Sequence, residues 1–335
     1  MKAKIFLSAF LTILSVSLFS QWSTDPSINN AIGSVPGEEA IPKVATSING
    51  TTYVAWFSVE SGNYNVRLQK FDIYGAIQWP EGGILISDNQ QDTWLTDWDM
   101  TVDQADHAIL VWNDIRTGNW DVFAYRISPD GDFIWGDNGI QLSSNAGLDV
   151  APKVTVTNSG NAVVAWQVDD VIIGQKISPE GTLLWGPSGL ELSSANTLTW
   201  PQLLPVGDDD VIIKFFEDSG PFWAPTRHVF AQRFDPSGVM VWAQPVVISD
   251  AGGISAWTQI FPFINDGSDG FYIAWHDDRD NNTLANLWVQ HIASDGTTLL
   301  GQDGTEVSVM PNRNHFYAHL ALPEGSDDIF VFWNE

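Results

Sequence analysis

The sequence predicts an all-β fold built from repeated four-stranded antiparallel units, and three observations carry that expectation. An apolar segment ending in an aromatic residue recurs at Tyr53–Trp56, Leu110–Trp112, Val163–Trp166, Ile213–Phe215, Tyr272–Trp275 and Val331–Trp333, with steps of 56, 54, 49, 60 and 58 residues between the final aromatics. The first five copies are followed by a fixed frame: a basic residue or histidine, a glycine five residues later, and a tryptophan four residues after that. Its members are Lys70, Gly75 and Trp79; Arg126, Gly131 and Trp135; Lys176, Gly181 and Trp185; Arg233, Gly238 and Trp242; and His291 and Gly296, with Leu300 in place of the last tryptophan. Beyond the first twenty residues, no stretch of ten or more has helical periodicity.

Each element has its own reason. Residues 1–20 read as a signal peptide: Lys2 and Lys4 precede an apolar run from Ile5 to Phe19, and the small Ser20 suits cleavage before Gln21. The run is short for a membrane span, and no other approaches that length, so no integral membrane segment is expected after cleavage. Residues 21–41 form a lead segment. Each repeat then opens with an extended strand, often after proline (Pro42, Pro152, Pro201, Pro262). The aromatic strand comes second and the basic strand third. Turns such as Pro129-Asp130-Gly131 and Pro236-Ser237-Gly238 need glycine where φ is positive, and a fixed turn length keeps the following tryptophan on the buried face. That tryptophan is expected on the fourth strand, filling the space between units.

About 55 residues and four strands per unit is the period of a β-propeller blade. The expected blades are 42–94, 95–149, 150–199, 200–258 and 259–316, with a partial sixth at 317–335. The sixth has only its opening and aromatic strands, so the sequence reads as truncated. Closure by Gln21–Ala40 as an outer strand of the last blade is the alternative, since a bare sheet edge is a hazard.

The segments Trp112-Asn113-Asp114-Ile115-Arg116, Asp121 to Ile127, and Gly131 to Trp135 with Gly136 to Ile140 resemble the repeats of secreted multi-blade β-propeller proteins of Bacteroidota. The resemblance covers residues 21–335. It implies export and surface display, often through a C-terminal type IX secretion sorting domain, which this sequence lacks; it implies no reaction. Val229-Phe230-Ala231 through Gly238 and Trp242 is similar to quinoprotein dehydrogenase repeats, but their vicinal disulfide needs cysteine. Ser128 to Gly131 with Trp135 resembles the sialidase Asp-box, whose glycine falls one residue later, and seven arginines are few for a carboxylate-binding cluster.

Composition narrows the partners. With no cysteine among 335 residues there is no disulfide, thiolate metal site or cysteine nucleophile. A formal charge of -27 repels phosphate backbones, so nucleic acid is not an expected partner, whereas glycan and protein ligands are.

The distance from aromatic to basic residue varies (14, 14, 10, 18 and 16) while the rest of the frame is constant, so binding is expected at the loops between second and third strands. In the fourth repeat this loop, Glu217 to His228, offers Phe222, Trp223, Arg227 and His228 as a candidate ligand site, with rings to stack a sugar and polar groups at the rim. In the fifth, Asp277, Asp278 and Asp280 offer oxygen ligands for Ca²⁺. The carboxylates Glu60, Asp114, Asp169, Asp218 and Asp278 recur after the aromatic strand and are expected to brace turns; no catalytic residue is assigned. His315 and His319, on one strand, would stand about 13 Å apart and share no ion. The favoured reading is an exported, non-enzymatic binding scaffold; a secreted glycan-processing hydrolase or lyase is the alternative.

Overall fold

The computed structural model describes residues 25, 27, 32, 33, 35–91, 98–221, 223–308, 310–326 and 328–335. The expected signal peptide and most of the lead segment lie outside them. Among the described residues there is no helix; the strands form five four-stranded antiparallel sheets and one two-stranded sheet.

The first sheet comprises β1 (Glu39–Thr46), β2 (Thr52–Glu60), β3 (Asn63–Phe71) and β4 (Ile84–Ser87). The second holds β5 (Asp99–Val102), β6 (Ala108–Asp114), β7 (Asp121–Ile127) and β8 (Ile140–Gln141). The third holds β9 (Asp149–Val156), β10 (Ala162–Val168), β11 (Val171–Ile177) and β12 (Leu190–Leu192). The fourth holds β13 (Thr197–Val206), β14 (Asp210–Ser219), β15 (Thr226–Phe234) and β16 (Val246–Ser249). The fifth holds β17 (Phe263–Asn265), β18 (Phe271–Asp277), β19 (Asn286–Ile292) and β20 (Thr305–Glu306), and the last pairs β21 (Phe316–Ala321) with β22 (Phe330–Asn334).

Within each sheet the strands pair in chain order, and the opening strands β1, β5, β9, β13, β17 and β21 touch one another in succession. The sheets therefore follow each other about one axis as propeller blades. The aromatic strands are apolar on both faces because each lies between two neighbouring sheets: Trp112, Trp166 and Trp275 are buried there. Among the described residues no strand besides β21 pairs with β22.

The repeat frame has a cause that spans two sheets. Trp135 Nε1 donates to Pro179 O of the next sheet at 3.0 Å, Trp185 Nε1 to Pro236 O at 3.1 Å, and Trp242 Nε1 to Ser294 O at 3.1 Å. Each acceptor sits on the turn between the third strand and the tryptophan of the following repeat. The glycine of that turn packs under the same indole: a Cβ on Gly181, Gly238 or Gly296 would lie 3.1–3.2 Å from the ring of Trp135, Trp185 or Trp242. These glycines also have φ of 93°, 81° and 88°. Glycine is thus required twice, by backbone conformation and by close approach.

One detail differs from the expected layout. The tryptophan is not on the fourth strand; after a single bridge such as Ile127↔Phe133, the chain leaves the sheet so that the indole reaches its neighbour, and the fourth strand starts five residues after Trp135 at Ile140. A buried glutamine then joins the two halves. Gln175 accepts from Trp185 N at 3.2 Å and donates to Gly186 O at 2.7 Å, and Gln69, Gln232 and Gln290 make comparable bonds in their sheets.

The opening strands carry a recurring irregularity. Ile41, Ala151, Trp200 and Tyr317 adopt φ of 50°, 54°, 51° and 56°, each at a register shift against the aromatic strand. The bulge turns the chain at one end of the propeller, where the loops described below converge.

Candidate functional site

Loops between second and third strands share one end of the molecule with the connections between sheets. Asn63 Nδ2 donates to the carbonyls of Asp88 and Asn89, Asn119 Nδ2 to those of Asn145 and Gly147, and His315 N to Ala285 O. This end carries the residues that the sequence singles out.

Arginine–carboxylate clasps fix it. In the second sheet Asp114 accepts from Trp112 Nε1 at 3.2 Å and from Arg116 Nε at 2.9 Å, and the guanidinium lies 3.7 Å over the Phe123 ring. The fifth sheet repeats the arrangement: Asp277 accepts from Trp275 Nε1 at 2.8 Å and Arg279 Nε at 2.9 Å, with Arg279 3.4 Å over Trp288. The first uses Arg67 and Glu60, and the fourth uses Arg227 and Asp218. Two-point hydrogen bonds between a planar cation and a carboxylate fix both side chains.

The third sheet has the carboxylate without the arginine. Buried Asp149 accepts from Trp166 Nε1 at 2.9 Å and from Asn145 Nδ2 at 3.1 Å. Burial pushes its pKa up to about 6, against the hydrogen bonds that favour the anion. Because the folded value lies above the unfolded one, its contribution to stability is fully present below about pH 4 and is lost as pH rises through about 6. Asp149→Asn is therefore expected to gain stability relative to the wild type between pH 4 and 7, by about 1 kcal/mol after allowance for screening. Urea titrations of both proteins across that range check this; a constant difference refutes it.

The candidate residues of the fourth sheet separate. Strands β14 and β15 stay paired out to Ser219↔Thr226, so the connection is much shorter than the sequence implies, because pairing satisfies backbone groups that a loop would leave to water. Phe222 lies outside the described residues. Trp223 is 78% exposed at the tip. Arg227 is buried and its contacts are internal: besides Asp218, its Nη1 donates to Thr258 O at 2.6 Å and Ala256 O at 3.2 Å. It thereby ties this hairpin to the connection leading to the fifth sheet. His228 Nδ1 lies 2.7 Å from Asp250.

The acidic residues of the fifth sheet also separate. Asp277 is committed to Trp275 and Arg279, and Asp278 accepts from the amides of Asn282 and Thr283 at 2.9 and 3.0 Å. Asp280 is exposed. Among the described residues, no group of three histidines or carboxylates could hold a metal ion.

A cleft not legible in the sequence lies beside Arg227. Strand β17 has only three residues, and the chain before it runs as a loop away from the upper part of β18. The space left is a cavity of about 740 Å³ between this loop and β21. Trp257, 91% exposed, Phe316 and Tyr317 supply rings; Thr258, Gln259, His276 and His319 supply polar groups. The Phe316 and His276 rings stand perpendicular with their centroids 5.1 Å apart. Burial lowers the His276 pKa, with Asp277 pulling the other way. Below the cleft Lys214, wholly buried, donates to Gln202 Oε1 at 3.0 Å, and its Nζ lies 3.4 Å from the Phe216 centroid.

Constant length hid this cleft: Trp242 to Trp275 spans the same 33 residues as Trp79 to Trp112. The segment Ala251-Gly252-Gly253, poor in strand formers, was the available signal.

No protein-family model matches the chain, and no curated protein matches it in sequence. It is similar in structure to NanB, a sialidase from Streptococcus pneumoniae, in complex with Optactamide, at 11% identity and a TM-score of 0.50, over 89% of this chain and 65% of that one. The β-propeller domain of the Trilobed protease from Pyrococcus furiosus matches at 7% identity and a TM-score of 0.44, over 86% and 81%. A protein of unknown function from Bacteroides caccae matches at 13% identity and a TM-score of 0.39, over 76% and 78%. The likeness is one of fold: this chain is a β-propeller. No helix among the described residues is long and apolar enough to cross a membrane.

Proposed function

We propose that this protein is an exported, non-enzymatic propeller that binds glycans at the end carrying the strand 2–3 loops. One observation carries the reading: two exposed tryptophans, Trp223 and Trp257, stand on segments held together by the buried Arg227–Asp218 clasp. Rings held on a rigid base bind a sugar face without first paying to be ordered. The carboxylates Asp218 and Asp277 at this end are hydrogen-bonded within clasps, which favours binding over acid–base work. Export rests on the N-terminal Lys2, Lys4 and apolar run.

The test is a polysaccharide array read for both retention and release of reducing sugar. Retention without release is the expected result, weakened about tenfold in a Trp223→Ala, Trp257→Ala double variant. Release of sugar would replace this reading with a glycan-processing hydrolase or lyase, and no retention on any polysaccharide would overturn it.

A further inference from the structure

We infer that the cleft between the fifth sheet and β21 accommodates one uncharged sugar residue of such a glycan, a specificity that rests on the glycan-binding reading above. Charge carries the first step. About one residue in six of this chain is charged, yet Asp, Glu, Lys and Arg are all absent from the cleft lining. A carboxylated or sulfated sugar would enter with no cation to meet it, from a surface whose net charge already repels it. A cationic ligand would find no counter-ion in the lining.

Shape and polarity carry the second. The cavity of about 740 Å³ lies within the range of small-ligand sites, and its rings stand at the mouth rather than in the core: Trp257 is 91% exposed and Tyr317 68%. A sugar ring has an apolar C–H face for such rings and hydroxyls at its edge. Thr258, Gln259, His276 and His319 are placed among the rings to meet those hydroxyls, each able to donate or accept. A purely apolar ligand would cover these groups without satisfying them. The half-buried imidazole of His276 stands in the wall of the cleft, within the lining that a hydroxyl would meet.

The experiment uses the full chain and isothermal titration with a neutral β-glucan, a mannan, a galactan and an arabinoxylan, alongside polygalacturonate and chondroitin sulfate. Binding to at least one neutral polysaccharide is expected, falling about tenfold in Tyr317→Ala and in Trp257→Ala and also reduced in His276→Asn. Both rings are largely exposed, so unchanged thermal melts establish that these variants fold. Binding confined to the two acidic polymers overturns the inference while leaving glycan binding intact. So does neutral-glycan binding that survives Tyr317→Ala and His276→Asn but is lost in Trp223→Ala. If none of the six polymers binds, the glycan-binding reading falls and this inference falls with it.

Discussion

Replacing Arg227 with alanine is expected to lower the free energy of unfolding by about 3–5 kcal/mol, the range for removing one partner of a buried ion pair. Its guanidinium lies against Asp218, and both side chains are at least nine-tenths buried. Without it, Asp218 keeps only the Thr199 hydroxyl at 3.0 Å among these contacts, and the carbonyls of Ala256 and Thr258 lose their donor. Arg227→Lys should recover little, because an ammonium cannot span two carboxylate oxygens and two carbonyls in fixed directions. The urea midpoint reads the stability loss, and limited proteolysis near Trp257 reads the release of the connection. A variant as stable as the wild type, with Trp257 still protected, would remove the basis for treating the clasp as the foundation of the site.

Replacing Lys214 with methionine should act in the opposite direction, raising stability at neutral pH by about 2 kcal/mol. Burial lowers the Lys214 pKa well below its ordinary value, and Arg227 adds to the effect. Both cations lie near one ring: Lys214 Nζ is 3.4 Å and the Arg227 guanidinium 4.5 Å from the Phe216 centroid. Arginine stays charged, so the lysine is the one to yield its proton. A depressed folded pKa means that wild-type stability climbs as pH rises toward about 10, where the unfolded amine also loses its proton. Methionine should abolish that climb. Phe261 N continues to satisfy Gln202 Oε1, so no acceptor is orphaned. A destabilised variant, or one with the wild-type pH slope, would show that the amine is retained for its charge. The two substitutions should not be additive, since removal of Arg227 allows Lys214 to take the proton and partly balance Asp218.

The propeller was legible because its repeat distances are contacts. Gly238 and Trp185 belong to different sheets, yet one packs on the other, so neither can drift in sequence without losing the fit. Gln175, Gln232 and Gln290 immediately precede the basic residue in their copies and were equally visible, but a polar residue in a strand reads as surface unless its partners are known. The site was less legible for a similar reason. Arg227 reads as a rim group next to Trp223, but register pairs it directly with Asp218, and the register depends on how far the hairpin extends. Trp257 and Tyr317 are brought to one cleft by the shortening of β17, which changes no spacing.

The indole bonds of the repeat frame run one way. Trp135, Trp185 and Trp242 each reach forward to the following sheet, so the two faces of a sheet are unlike, as plug and socket. Such a joint makes assembly vectorial: sheets add in a single rotational sense, and a reversed neighbour finds no acceptor. It also makes cooperativity local, since each sheet is held chiefly by the two beside it. Leu300 has no side-chain N–H to offer, so at this position the fifth sheet meets the next through packing against Val331 and Trp333, while Asn314 and His315 keep their hydrogen bonds to Ala285.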